Sequence, residues 1–284
     1  MGFGGQEEWQ RFNNDFPVFV ERYAALESTR DEVFQRHGEG DKLGRIVFGL
    51  GRVCSEDFQQ ALILCGNGFG IGALQIVRGM YERLVTMAFL INQPDKVDDF
   101  IDYYFVQRRK GLNILKDIYN GDDLAKMIPL DKQEEIEREY QEVTKDGRFT
   151  EPVCKHSDKR KSLPSWINIA LPGLARKAGH GLYDMYFNYY QRPTQMTHSS
   201  TESVMARLRE DEQGNLLFDN EGQRRIVQEA ITAAHHLLLH VLELQNEYFK
   251  LGLDLEQLGK DYRDCWAPNE PDPETEAKAA DARP

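Results

Sequence analysis

The run from Phe69 to Ile91, FGIGALQIVRGMYERLVTMAFLI, is apolar on nearly every helical face. A helix that is apolar all round belongs in a core. On the stripe Ile71, Leu74, Arg78, Tyr81, Val85, an arginine stands where a leucine would be expected. Glu82 lies one turn on, at i+4, within reach of Arg78. The order Arg then Glu opposes the helix dipole and is the weaker arrangement of such a pair. A buried charge is costly unless paired and hydrogen-bonded, and a packed apolar residue is often at least as stable. The pair is therefore expected to mark a polar site inside a helical bundle. The alternative is a satisfied buried ion pair that only fixes helix register.

The rest of the chain reads as helices around that run. Trp9, Phe12, Phe16, Phe19, Tyr23, Leu26 and Val33 follow a heptad-like spacing, with Pro17 among them. The first helix is thus predicted to kink or begin near Pro17, to end at Gly38-Glu-Gly40, and to lay its stripe on the bundle or on a second chain. A second helix is predicted over Leu43–Cys65. Gly66-Asn-Gly68 is a tight connection, which returns the Phe69–Ile91 helix antiparallel. Further helices are expected at about Lys96–Tyr119, Leu130–Val143, Pro164–Leu174 with Trp166 buried, Leu182–Tyr190, and Arg224–Leu251 ended by Gly252. Ala206 to Asp219 reads as a β-hairpin, with Leu208 to Phe218 turning at Gln213-Gly-Asn215. The expected fold is all-α, an antiparallel helical bundle with one small β-hairpin. The expected organisation is residues 1–40 as an N-terminal helical segment, 41–266 as the bundle, and 267–284 as an acidic disordered tail.

Charge and cysteine usage exclude several classes. Formal net charge is −12 over 284 residues, so the surface as a whole does not advertise nucleic-acid binding. The cysteines are Cys54, Cys65, Cys154 and Cys265, with no C-x-x-C pair. Cys54 and Cys65 sit on apolar helical stretches and read as core thiols. The N-terminus has no basic and apolar leader pattern, and no run reaches the ~18 apolar residues of a membrane span. A cytoplasmic protein with no membrane partner is expected.

Three further constellations could carry chemistry. In Tyr189-Tyr-Gln-Arg192-Pro-Thr-Gln-Met-Thr-His198-Ser-Ser-Thr-Glu202, Ser199 and Glu202 have capping-box spacing, so a helix should start near Ser200. His198 would precede its N-terminus and Arg192 would lie before the helix. A neutral imidazole beside a guanidinium suits a base with an anion stabiliser; otherwise His198 is a hydrogen-bonding core residue. His236, His240, Glu243 and Glu247 share one helical face and could hold a metal, although such a face is more often polar and solvated. Lys159, Arg160 and Lys161, from a stretch Thr144 to Lys177 with eight positive and three negative residues, form a basic set with Arg108 and Arg109. They could track phosphates or form a solvated loop. No Walker loop, dinucleotide fingerprint or nucleophile elbow is present.

Ala73, Leu74, Arg78, Glu82 and Leu90 after the glycine turn, followed by Tyr190, His198 and Ser199, resemble a bacterial family of all-helical domains of unknown function. That family is in turn similar to the HEPN helical bundles, many of them metal-independent ribonucleases of toxin and phage-defence systems. Their signature is Arg, four to six residues, then His; Arg192 and His198 have five between them. Pro193 stands where those nucleases usually carry Asn, Asp or His. The resemblance implies a ribonuclease with His198 as base and Arg192 on the phosphate. Arg78, Glu82 and Tyr190 would support the site, RNA would be the partner, and the assembly would be a homodimer with no cofactor and no metal. Two other classes stay open: a non-catalytic binding or interaction module with a structural Arg78–Glu82 pair, and a metal-dependent hydrolase using the His236/His240 face.

Overall fold

Pro17 divides the first aromatic stripe into two helices, as its missing N–H and fixed φ require. A computed structural model describes residues 5–35, 40–152, 160–205, 207–218 and 223–266. In chain order these hold α1 (Gln6–Asp15), α2 (Pro17–Gln35), α3 (Lys42–Gly66), α4 (Gly70–Asn92), α5 (Val97–Ile118), α6 (Gly121–Met127) and α7 (Leu130–Thr144). Strands β1 (Thr150–Pro152) and β2 (Arg160–Ser162) follow, then α8 (Leu171–Ala178), α9 (Leu182–Tyr186), a π-helical turn (Phe187–Gln191), α10 (Arg192–Thr197) and α11 (Thr201–Met205). Strands β3 (Leu208–Glu210) and β4 (Leu216–Phe218), α12 (Val227–Phe249) and α13 (Glu256–Trp266) complete them. The fold is all-α with the expected hairpin, Leu208 pairing with Phe218. A second short ladder, Thr150 with Ser162, was not foreseen; nor were α6 and α13. The Gly38-Glu-Gly40 stop (in part), Cys154, Lys159 and the 267–284 tail lie outside the described residues.

Backbone contacts separate two units, one ending at Ala88 and resuming at His180, the other spanning Phe89–Gly179. In the first unit, α3, α4 and α12 build the core. Asp41 caps α3 by accepting from the Gly44 N–H at 2.8 Å. Gly68, at φ 79°, makes the turn that sends α4 back. The Cys54 thiol donates to the Met80 carbonyl, tying α3 to α4, and burial pushes both Cys54 and Cys65 thiols up to about 12. α3 packs along α12. There the Gln245 amide donates to the Val47 carbonyl at 2.7 Å, so closely over Gly51 that a methyl group would overlap it. The stripe of α1 and α2 is covered within the chain. Phe12, Phe19, Leu26 and Val33 are buried, and Phe19 lies 5.5 Å from both the His235 and Trp266 rings.

In the second unit, α5 pairs with α7. Tyr103, Val106 and Phe149 form one cluster and Leu112, Leu124 and Ile136 another. Pro164–Ala170 is not helical; that helix begins only at Leu171. Trp166 is half-buried, edge-on to Phe89 and Phe100. The apolar spacing there came from loop residues packing on those rings.

Candidate functional site

Pro193 lies inside a continuous helical run from Leu182 to Thr197. An internal proline cannot donate backward, and its ring meets the carbonyl four residues behind. The helix absorbs this by widening, so the Arg192 N–H donates to the Phe187 carbonyl five residues back. Arg192 therefore sits on a helix, not before one. The following helix, α11, is separate; Ser200 rather than Ser199 caps it, its hydroxyl accepting from the Ser203 N–H at 3.1 Å. With five residues α11 is too short to present a sizeable dipole to His198.

The π turn sends consecutive tyrosines to different helices. Tyr190 reaches α4, where the Arg78 guanidinium carbon lies 5.0 Å from its ring centroid and Nη2 is 3.5 Å from its hydroxyl. The Arg78 Nη1 lies 3.4 Å from His198 Nε2, and Nη2 lies 3.3 Å from Glu82 Oε1. Arg78, Glu82, Tyr190 and His198 thus come together. The pair is not buried, however: the Arg78 and Glu82 side chains are 30% and 44% exposed. The stripe neighbours Ile71, Leu74, Tyr81 and Val85 are buried, whereas Gln75, Arg78, Glu82, Arg83 and Thr86 keep a less buried strip along α4. The Arg78 stem follows the core and its head reaches out. His198 is exposed, so it is no core residue. Arg78 Nε is buried without a hydrogen-bond partner. Nearby, Tyr186 and Tyr190 stack at 5.4 Å, and the Tyr81 hydroxyl donates to the Leu182 carbonyl at 2.7 Å.

Arg192 has another partner. Its Nε and Nη2 donate to the two Glu229 oxygens at 2.6 and 3.0 Å. That fork raises its pKa further above the ordinary range. The expected Arg192–His198 pairing is replaced by Arg192–Glu229 and Arg78–His198, because Arg192 opens α10 whereas His198 lies past its end in extended backbone. Glu229, thirty-seven positions away, carried no local signal; Pro193 within a helical pattern was the available sign of a bulge.

The His236 face is packed on aromatic rings. The Tyr189 hydroxyl is 2.7 Å from His236 Nδ1, and the Tyr262 ring stacks on His236 at 5.0 Å. His240 Nδ1 is 3.3 Å from Glu243. Burial, then the neighbouring His240, lowers the His236 pKa to about 4. Among the described residues no three His, Cys, Asp or Glu side chains group as a metal site requires. His235, beside it, is buried and accepts from the Trp266 indole at 3.1 Å; burial lowers its pKa to about 4 as well.

The basic set is largely neutralised. Arg108 pairs with Glu139, and Arg109 with Glu137 at 3.3 Å. Arg160 donates to the Thr150 hydroxyl and carbonyl at 2.7 and 2.8 Å, and Lys161 meets Glu151 at 3.2 Å. The sign of the stretch was legible; its carboxylate and carbonyl partners were not.

The chain belongs to DUF5677, a family of unknown function, whose model matches residues 44–215. The match takes in Arg78, Glu82, Tyr190, Arg192 and His198 and ends before α12. No curated protein and no solved structure matches the chain. Among the described residues, no helix is long and apolar enough to cross a membrane.

Proposed function

We propose that the protein is a metal-independent endoribonuclease of HEPN-like type whose working pair is Arg78 and His198. The observation that carries this reading is an exposed imidazole with Nε2 facing the Arg78 guanidinium at 3.4 Å. An Nε2 that accepts from arginine carries its ring proton on Nδ1. A scissile phosphate that draws Arg78 onto its non-bridging oxygens frees the Nε2 lone pair. His198 then takes the proton of the ribose 2′-hydroxyl, the 2′-oxygen attacks phosphorus, and a 2′,3′-cyclic phosphate forms. The 5′-oxygen departs with a proton from solvent. The long contacts of Arg78, 3.3 to 3.5 Å, and its unpartnered Nε fit a guanidinium that changes partners. Arg192, held by Glu229, is a positioning residue for the π turn.

The test is cleavage of total RNA by the purified full chain in chelator, with the new termini mapped. Cyclic-phosphate ends that disappear in Arg78→Ala and His198→Ala support the reading. Intact RNA, or cleavage unchanged in both variants, overturns it in favour of a non-catalytic binding module. Growth toxicity on expression, lost in the same variants, would extend the reading to a toxin or defence role. A homodimer is proposed alongside. The α1–α2 stripe is not its surface, being covered within the chain, but Leu216, Leu217 and Phe218 of β4 are exposed. A monomeric mass by light scattering at micromolar concentration would remove it.

A further inference from the structure

The π turn that hands Tyr190 to Arg78 also forms one wall of an open cleft of about 540 Å³. Its opposite wall is a stripe of α12 and the turn before it, Arg225, Gln228, Glu229, Thr232 and Ala233, spaced i, i+3, i+4, i+7, i+8. The volume falls in the ~300–1,000 Å³ range of small-ligand sites. Ala233 and Thr232 are small, which gives the cleft its width. Tyr189 stiffens the π wall through its 2.7 Å contact with His236.

The chemistry of the lining is specific. Phe187 is 54% exposed at this cleft. A single exposed phenylalanine is ordinary, but this one faces amides and guanidiniums in one concave site. The side-chain amides of Asn188 and Gln228, both exposed, have no hydrogen-bond partner among the described residues. A carboxamide presents a donor and an acceptor side by side, the pattern that matches a base edge. Arg192, paired with Glu229, and Arg225 also line the cleft. An aromatic face, paired amides and arginines together match a planar heterocycle carrying a phosphate.

We infer that the cleft between the π turn and α12 binds a nucleobase with its phosphate, Phe187 stacking on the base and Gln228 and Asn188 reading its edge. The inference rests on the ribonuclease reading only for its preference for RNA; the same chemistry serves a free nucleotide. Stacking on a protein ring tolerates every base, so discrimination among bases falls to the two amides.

The experiment titrates the full-length protein with the four ribonucleoside 5′-monophosphates. In a second arm it titrates with a labelled 2′-O-methyl oligoribonucleotide, which has no attacking hydroxyl and cannot be cleaved through it. Binding is read by calorimetry and anisotropy. Phe187→Ala should weaken it about tenfold to a hundredfold, the range of base–aromatic stacking. Phe187→Tyr should restore it, and Gln228→Ala should change the order of preference among the bases. Both positions are exposed, and matched melting curves verify the fold. Binding of mononucleotides alone identifies a nucleotide site; tighter binding of the oligomer identifies single-stranded RNA. Either result upholds the inference even where the chain cleaves nothing. No binding of any of these probes, or binding that Phe187→Ala and Gln228→Ala leave unchanged, overturns it even where cleavage is found.

Discussion

His198 and His235 lie in the same unit and have opposite surroundings. His235 is 3% exposed, ringed by Phe19, Tyr262 and Trp266, with its Nδ1 accepting from an indole. His198 is exposed and its Nε2 lies 3.4 Å from the Arg78 guanidinium. The two arginines divide the same way: Arg192 is clamped at 2.6 and 3.0 Å, while Arg78 has three contacts of 3.3 to 3.5 Å and an orphaned Nε. Buried polar groups are normally satisfied because leaving them unpaired costs stability. Tight, complete pairing is what stability produces. A loose polar cluster open to solvent contributes little to stability, which is the surrounding that the proposed ligand role requires.

The largest expected effect breaks or keeps that contrast directly. His198→Ala should reduce RNA cleavage by ~10²–10⁴-fold, the usual loss for a general base. An exposed side chain should leave stability within roughly 0.5 kcal/mol. Thermal melting and cleavage on the same variant separate the cases: a collapsed melt would move His198 into the structural class with His235.

The next effect concerns acid. The pKa of buried His235 falls from 6.5 to about 4, first because of burial. The unfolded chain then binds more protons than the folded one between these values. The stability associated with neutral His235 is present above 6.5 and is lost as pH falls toward about 4. The shift corresponds to roughly 3 kcal/mol at most. His236 shifts in the same direction, so urea midpoints should drop across this window. In His235→Gln the drop should shrink; an equal drop would show that the histidine core is not the acid-sensitive element.

The helical frame that carries this contrast was legible in the sequence. The apolar α4 run, the glycine turn, the Pro17 break and the β3–β4 hairpin rest on local rules of periodicity and turn chemistry. Arg78, Glu82 and His198 were legible as polar groups on apolar segments, although their exposure was not. The three methylenes of the arginine stem let the charge escape a core position, and sequence spacing does not report that reach. Glu229, Trp266 and the carboxylates of α7 are set by packing between distant elements. The Arg–x₅–His spacing did not report that α10 ends at Thr197, which leaves His198 in extended backbone beyond the helix that carries Arg192.

A smaller effect sharpens the buried half. Trp266→Phe keeps most of the ring contact with Phe19 but removes the N–H that His235 accepts. The expected loss is about 1 kcal/mol, the usual net value of one hydrogen bond with a buried partner. Chemical denaturation at neutral pH measures it, and no loss would mean that packing alone holds His235.

The smallest effect concerns the basic stretch. Lys161 and Glu151 form an exposed pair at 3.2 Å, their side chains 59% and 38% exposed. Such pairs contribute ~0–1 kcal/mol, so Lys161→Gln should alter melting very little. A lysine that neutralises a phosphate contributes about one unit to the slope of binding against salt. With its charge already matched by Glu151, Lys161 should contribute none, and Lys161→Gln should leave the salt slope of RNA binding unchanged. The comparison with Arg78 makes the measurement informative. Arg78→Gln should lower the slope, because its guanidinium is free to exchange a 3.3 Å carboxylate contact for a phosphate. A reduced slope in Lys161→Gln and an unchanged one in Arg78→Gln would return the RNA-binding surface to the basic stretch and remove Arg78 from it.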